Sequence, residues 1–238
     1  MLALSHKTAR PQTQICGAGG ARYTCHMENF KHRRSRYEHF RRFANPLINL
    51  GMELELPDFR PWCKTQGLPV FHVFLYCLLH SVRAHEHFMY RIYQGEVILI
   101  DDFIASYTVV NDDDNLNYAA FEMCDGLHEF VMRSVEAGRI AQASSELINT
   151  QAHLSEREQR NNVFTTCLPW MRLTAIEHPI FDYAGADIPC FAWGKFGDAR
   201  DGKMMLPFSA QAHHGFVDGI HIHQLGQAVA ARLAALMA

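Results

Sequence analysis

The run from Val70 to Val82, opened by Pro69, constrains this chain more than any other stretch. It reads V-F-H-V-F-L-Y-C-L-L-H-S-V. Its length exceeds that of an ordinary strand, and proline suits the first turn of a helix, where its missing N–H costs nothing. A helix that is apolar on nearly every side must be covered on nearly every side. The remaining elements therefore have to pack around it. With 48% hydrophobic residues in 238, the chain can build a sizeable core of the ordinary globular kind.

The flanking patterns supply the cover. Tyr37, Phe40 and Phe43 are three apart and predict a short amphipathic helix. Leu50 to Leu56 alternates apolar and polar, the pattern of a strand with one wet face. Tyr90–Tyr93 and Glu96–Ile100 flank Gln94-Gly95 and predict a hairpin. Ser106–Val110 is a β-branched strand, followed by the solvated acidic loop Asp112-Asp113-Asp114. Asp125 is expected to cap a helix running to about Ile148, and Gln151 to Asn162 reads as a loop. Val163–Leu168 and Ile188–Phe196 are strand-like, the latter pairing with Lys203–His213. Gly219 leads into a final amphipathic helix ending at Met237. Interspersed helices and strands predict an α/β two-layer sandwich with a mixed, largely antiparallel sheet and flanking helices. Residues 28–238 read as a single domain. Residues 1–27, Gly-rich and without an apolar period, are expected to be a disordered extension, with Met27 a candidate start.

Composition removes several classes. A net charge of −3 gives no support for a nucleic-acid partner, and the exposed members of the basic run from His32 to Arg42 read as a solvated helix face, Arg36 excepted. No apolar stretch approaches membrane-spanning length, and the first residues lack a secretory pattern. A cytoplasmic location follows as an expectation. The seven cysteines are scattered with no C-x-x-C pair, which argues against a disulfide framework or a zinc ribbon. His221-Ile222-His223 beside His213 and His214 has no evident Asp, Glu or Cys partners. No metal is expected, and His221 is expected to pack or hydrogen-bond beside the turn that precedes it.

Chemistry concentrates in Gln211-Ala212-His213-His214-Gly215-Phe216-Val217-Asp218-Gly219-Ile220-His221. A strand ends here in two histidines, a turn follows, and a helix begins. Neighbouring strand residues point to opposite faces, so at most one of the two histidines faces a given cleft. Histidine titrates near neutrality and can take and return a proton. Asp218 stands where it can hold the turn or cap the helix.

This segment resembles the chloramphenicol acetyltransferase family, whose signature is H-H-x-x-x-D-G. Arg36-Tyr37-Glu38-His39-Phe40 is similar to the family's R-[KR]-E-H-F, Leu168-Pro169-Trp170 to its P-W element, and Gly194-Lys195-Phe196 with Met205-Leu206-Pro207-Phe208 to its last hairpin. The resemblance implies an O-acetyltransferase using acetyl-CoA as co-substrate, with no bound cofactor. It makes His214 the general base and Thr166, where a serine is usual, the oxyanion donor. It pairs Asp218 with Arg36 in support of the site. It also implies a homotrimer with active sites between subunits.

Several positions depart from the family pattern. Phe43, Val110 and Ala192 fall at substrate-pocket positions with unusual side chains. Gly215 replaces Ala or Ser, and Ile220 replaces an aromatic. These departures touch the acceptor pocket, so the acceptor is chloramphenicol or another small hydroxyl compound. A ligand-binding member without turnover and the acyltransferase core of a 2-oxo acid dehydrogenase complex are the rival readings. The latter is disfavoured because only about 30 residues precede the first matched motif, too few for lipoyl and subunit-binding domains.

Overall fold

The computed structural model describes residues 29–148, 150, 152–180 and 186–238, so the extension expected to be disordered lies outside the described residues. In chain order the elements are α1 (Arg34–Phe40), β1 (Leu47–Pro57), α2 (Arg60–Gln66), α3 (Val70–Arg83), β2 (Tyr90–Tyr93), β3 (Glu96–Leu99), β4 (Ile104–Val110) and β5 (Leu116–Glu122). There follow α4 (Leu127–Ala143), β6 (Asn162–Cys167), β7 (Cys190–Trp193), β8 (Lys203–His213) and α5 (Gly219–Met237).

Six strands form one mixed sheet in the order β1-β8-β7-β6-β4-β5, and β2-β3 stand apart as a hairpin. β6 lies parallel to both β4 and β7, and the other neighbours are antiparallel. Flanking helices complete the α/β architecture. α3 is the central piece of the core: every residue from Val73 to Val82 is buried. Phe71 and Phe74 of α3 pack against Trp193 of β7, with ring centroids 5.6 and 5.0 Å apart. α5 turns the stripe Ile222, Leu225, Val229 and Leu233 inward, all fully buried, at the three-to-four spacing of one helix face.

Several local outcomes differ from the sequence expectations: β5 has no counterpart among them, and β7 is confined to Cys190–Trp193 within the expected Ile188–Phe196. Asp125 does not cap α4; Gly126 occupies the N-cap, because the Asp125 carboxylate is turned to the Arg83 guanidinium. α4 ends at Ala143, five residues short of Ile148, because Ile148 instead donates its N–H to the Asn117 side chain at 2.8 Å. α2 was not foreseen, although a proline in its first turn and Gly67 in left-handed geometry (φ 66°) at its end are an ordinary pair of helix boundaries. The hairpin at Gln94-Gly95 forms as expected, with both residues at positive φ, the geometry that matches the twist of its strands.

Candidate active site

His213 and His214 end β8 and diverge at once. His213 is buried, 1% exposed, between the rings of Tyr37 and Phe216. Its Nδ1 accepts the Gly215 N–H at 3.0 Å, and burial pushes its pKa down to about 4. His214 keeps 31% of its side chain exposed. Its ring stacks on Phe40 of α1, centroids 4.1 Å apart and planes 20° apart. Its backbone N–H is still tied to Pro46 at the start of β1 (2.8 Å), so β1 and α1 together fix where the ring begins.

The His214 ring nitrogens have different duties. Nδ1 lies 3.1 Å from the Val217 carbonyl oxygen and 3.3 Å from the Asp218 carboxylate. Both partners accept only, so the neutral ring carries its proton on Nδ1 and presents a lone pair at Nε2. That is the form a general base requires.

The support of this turn corrects one sequence assignment. Arg36 does not meet Asp218; it is exposed and bonds the neighbouring Ser35 hydroxyl at 3.0 Å. Arg33, one helical turn earlier, does the work. Its guanidinium grips both Asp218 carboxylate oxygens, and it donates to the carbonyls of His214 at 3.1 Å and Gly215 at 3.2 Å. The reason is the register of the segment: Phe30, Arg33 and Tyr37 form its buried face, which turns Arg36 outward. Arg33 was read from sequence as part of a solvated basic run. Its three- and four-residue spacing from Phe30 and Tyr37 is the signal that identifies it. The Arg33 hydrogen bond holds the Asp218 carboxyl below the usual carboxylate range.

Gly215 is explained by the same packing. A Cβ there would lie 2.8 Å from the Tyr37 Cα and 2.9 Å from the His213 ring, so the usual Ala or Ser does not fit against α1 as it sits here. Ile220 is 56% exposed at the start of α5. His221 accepts the Asp218 N–H at 2.9 Å through its Nδ1, and so hydrogen-bonds beside the turn as expected. Among the described residues, no group of three or more His, Cys, Asp or Glu is placed to hold a metal.

Thr166 lies elsewhere. It lines an apolar groove of about 650 Å³ with Val110, Tyr107, His72, Trp170 and Phe196. Ala192 faces Thr166 across the β6-β7 ladder but is fully buried. Phe43 stands with Phe40 and His39 in an aromatic cluster on the His214 side. The structure therefore divides the candidate residues into two groups, His214, Asp218, Arg33 and Phe43 in one, and Thr166, Val110 and Ala192 in the other. A second, polar cleft of about 690 Å³ opens beside the turn before β8. Its lining mixes Lys195 and Arg172 with Glu53 and Asp198, and it includes none of these groups.

The family model of chloramphenicol acetyltransferase matches residues 22–229. The chain belongs to the chloramphenicol acetyltransferase family. It is thus an acyltransferase. The Escherichia coli chloramphenicol acetyltransferase is 23% identical over 195 residues, 82% of this chain and 86% of that protein. A Clostridium perfringens chloramphenicol acetyltransferase is 26% identical over 192 residues, covering 80% and 85%. A solved chloramphenicol acetyltransferase structure superposes with a TM-score of 0.75 at 23% identity, covering 87% of this chain and 97% of its own. The cubic core of a pyruvate dehydrogenase complex shares the fold at a TM-score of 0.63 and 14% identity.

Two imidazoles, His213 at the end of β8 and His72 in α3, make folding pH-dependent. Burial lowers the pKa of both His213 and His72 from 6.5 to about 4. Between those values the unfolded chain binds protons that the folded chain refuses, so stability is full above 6.5 and declines as pH falls towards 4. Each ring contributes up to about 1.4 kcal/mol per pH unit in that window. Urea unfolding at pH 7 and pH 5 should show a clear drop in midpoint, and equal midpoints would contradict the neutral burial of these rings.

Proposed function

We propose that this enzyme transfers the acetyl group of acetyl-CoA to a hydroxyl of chloramphenicol, with His214 as general base. The observation that carries this reading is the commitment of His214 Nδ1 to Val217 and Asp218. Nε2 then takes the proton of the acceptor hydroxyl as that oxygen attacks the thioester carbonyl. When the tetrahedral intermediate collapses, the same proton passes to the departing CoA sulfur. Asp218 and Arg33 hold the ring and its turn without exchanging protons. Thr166 offers a hydroxyl to the oxyanion, a contribution typically worth about 3 kcal/mol in the barrier.

The active site, on this reading, lies between subunits of a homotrimer, and strand register supports it. Thr166 faces Ala192, and Ala192 faces Ser209. His214 lies five residues beyond Ser209. That places the two Cα atoms about 16 Å apart along the strands and about 10 Å apart across them. A base and an oxyanion donor must sit within hydrogen-bond reach of one carbonyl, so they come from neighbouring copies. The Thr166 groove receives the thioester, with Trp170, 61% exposed, at its rim. Among the described residues Cys63, Cys77, Cys124, Cys167 and Cys190 are free thiols, and no helix is long and apolar enough to cross a membrane. Both support the cytoplasm, where acetyl-CoA is at hand.

The test mixes purified protein with acetyl-CoA and chloramphenicol and follows release of thiol. Release establishes the acceptor. Silence with chloramphenicol but release with another hydroxyl compound reassigns the acceptor and keeps the reaction. The shared site has its own test. His214→Ala and Thr166→Ala proteins should each be nearly inactive. Co-assembled in equal amounts they should recover activity, because about one interface in four then pairs an intact His214 with an intact Thr166. No recovery from a confirmed mixed assembly would rule out the shared site.

A further inference from the structure

Two imidazoles outside the proposed chemistry grip the turn that carries His214. His87 lies in the single helical turn Glu86–Phe88 that follows α3. Its Nδ1 is 3.0 Å from the Phe216 carbonyl oxygen, and a carbonyl only accepts, so this nitrogen is the donor. His221 uses its Nδ1 in the opposite sense, as acceptor of the Asp218 N–H at 2.9 Å. The two rings stack face to face, centroids 3.7 Å apart and planes 15° apart. The turn is thus held at Phe216 and at Asp218. Between them lies Val217, whose carbonyl receives the His214 Nδ1 proton.

We propose that His87, stacked on His221, is a positioning residue for His214: by fixing the peptide groups on either side of Val217 it keeps the His214 proton on Nδ1 and the lone pair on Nε2. The proposal rests on the reading of His214 as the base. Its physical content is local. If the Phe216 carbonyl swings away, the Val217 peptide swings with it, and Nδ1 loses its hydrogen-bond acceptor, keeping only the 3.3 Å contact to the Asp218 carboxylate. The His214 ring then populates the other tautomer, with a proton on Nε2 and no base to offer.

The surroundings keep both rings of the pair neutral. Arg33 lies near both His87 and His221. His85 is 5.6 Å from His87 and 5.9 Å from His221, and its own side chain is bonded to Gln224. Two carboxylates are close, and each is engaged: Glu86 accepts the Tyr90 hydroxyl, and Asp218 is held by Arg33. Burial is the leading cause that lowers the pKa of each ring, that of His221 to about 4. Protonating His221 at Nδ1 also removes the acceptor for the Asp218 N–H. A neutral pair therefore persists at physiological pH, as a firm stack requires.

Three substitutions and two readouts test this. His87→Phe keeps a flat ring for the stack and loses the donor. His87→Asn places an amide N–H at the Nδ1 position, whereas His87→Gln places it at the Nε2 position. Thiol release at saturation gives kcat, and ¹⁵N spectra of histidine-labelled protein report the His214 nitrogens directly. His87→Phe and His87→Gln should lower kcat by about 10- to 100-fold with both KM values within about twofold of the parent. Their His214 nitrogens should move towards averaged values. His87→Asn should recover both readouts to near the parent. Parental kcat and parental His214 nitrogens in folded His87→Phe or His87→Gln overturn the proposal, as does a loss shared equally by all three variants. The spectra decide the matter even if chloramphenicol proves not to be the acceptor, so the two readings fail separately.

Discussion

Replacing His214 with alanine is expected to lower kcat by about 10³- to 10⁴-fold while leaving the fold intact. The size follows from the division of labour within one ring. With Nδ1 tied to Val217 and Asp218, Nε2 is the lone pair that the turn presents, and nothing else in the turn replaces it. His213 is no substitute, because its Nδ1 is already used by the Gly215 N–H and the ring is sealed by Tyr37 and Phe216. The structural cost should be small, about 1 kcal/mol or less. The side chain is partly exposed, and what it chiefly loses is the stack on Phe40. The measurement pairs saturation kinetics with a thermal melt. A kcat within tenfold of the parent would remove His214 from the mechanism, whereas collapse of the melt would make it structural.

The second large effect separates two arginines. Arg33→Ala should cost about 3 kcal/mol in chemical denaturation at neutral pH, because it strips a partner from the Asp218 carboxylate and from two backbone carbonyls. The upper end of the range for buried pairs is not expected, since the Asp218 side chain is 36% exposed and water can replace part of what is lost. Arg36→Ala should shift stability by no more than about 0.5 kcal/mol, the usual result for an exposed position. Arg33→Lys should rescue little, since the site uses a planar fork reaching several acceptors at once. Because Arg33 also holds the carbonyls of His214 and Gly215, its loss should lower kcat as well as stability. A larger cost at Arg36 than at Arg33 would mean that the first helix sits in another register and that Asp218 pairs with Arg36.

The contrast between these arginines shows where sequence reading succeeded and where it stopped. β8, α5 and the start of α3 lie where the patterns place them, because in each a long periodic or apolar run ends at a strong boundary. The division between His213 and His214 was legible from strand alternation alone. The ion pair was not, because motif spacing identified the residue that aligns while burial selects the residue that faces inward. A buried arginine looks like a solvated one until its neighbours at three- and four-residue spacing are read as a face. The stacked pair of His87 and His221 was equally hidden: the two residues are far apart in the chain, and nothing in the pattern around His87 marks it. The distance between His214 and Thr166 lies beyond a single chain's sequence altogether, since it emerges only from strand register.

β1 pairs with β8 along its whole length, from Leu47 opposite His213 to Pro57 opposite Lys203. The first strand of the sheet is therefore completed by the last. During synthesis β1 leaves the ribosome with an unpaired edge and must wait for nearly all of the remaining chain before its partner exists. Closing so long a loop is slow, and in the interval an open strand edge invites pairing with other nascent chains. The same delay means that a product cut short before His214 cannot carry the turn, since Pro46, Arg33 and the histidine meet only once β8 has paired with β1. Formation of that turn thus marks a chain that has been synthesised past β8.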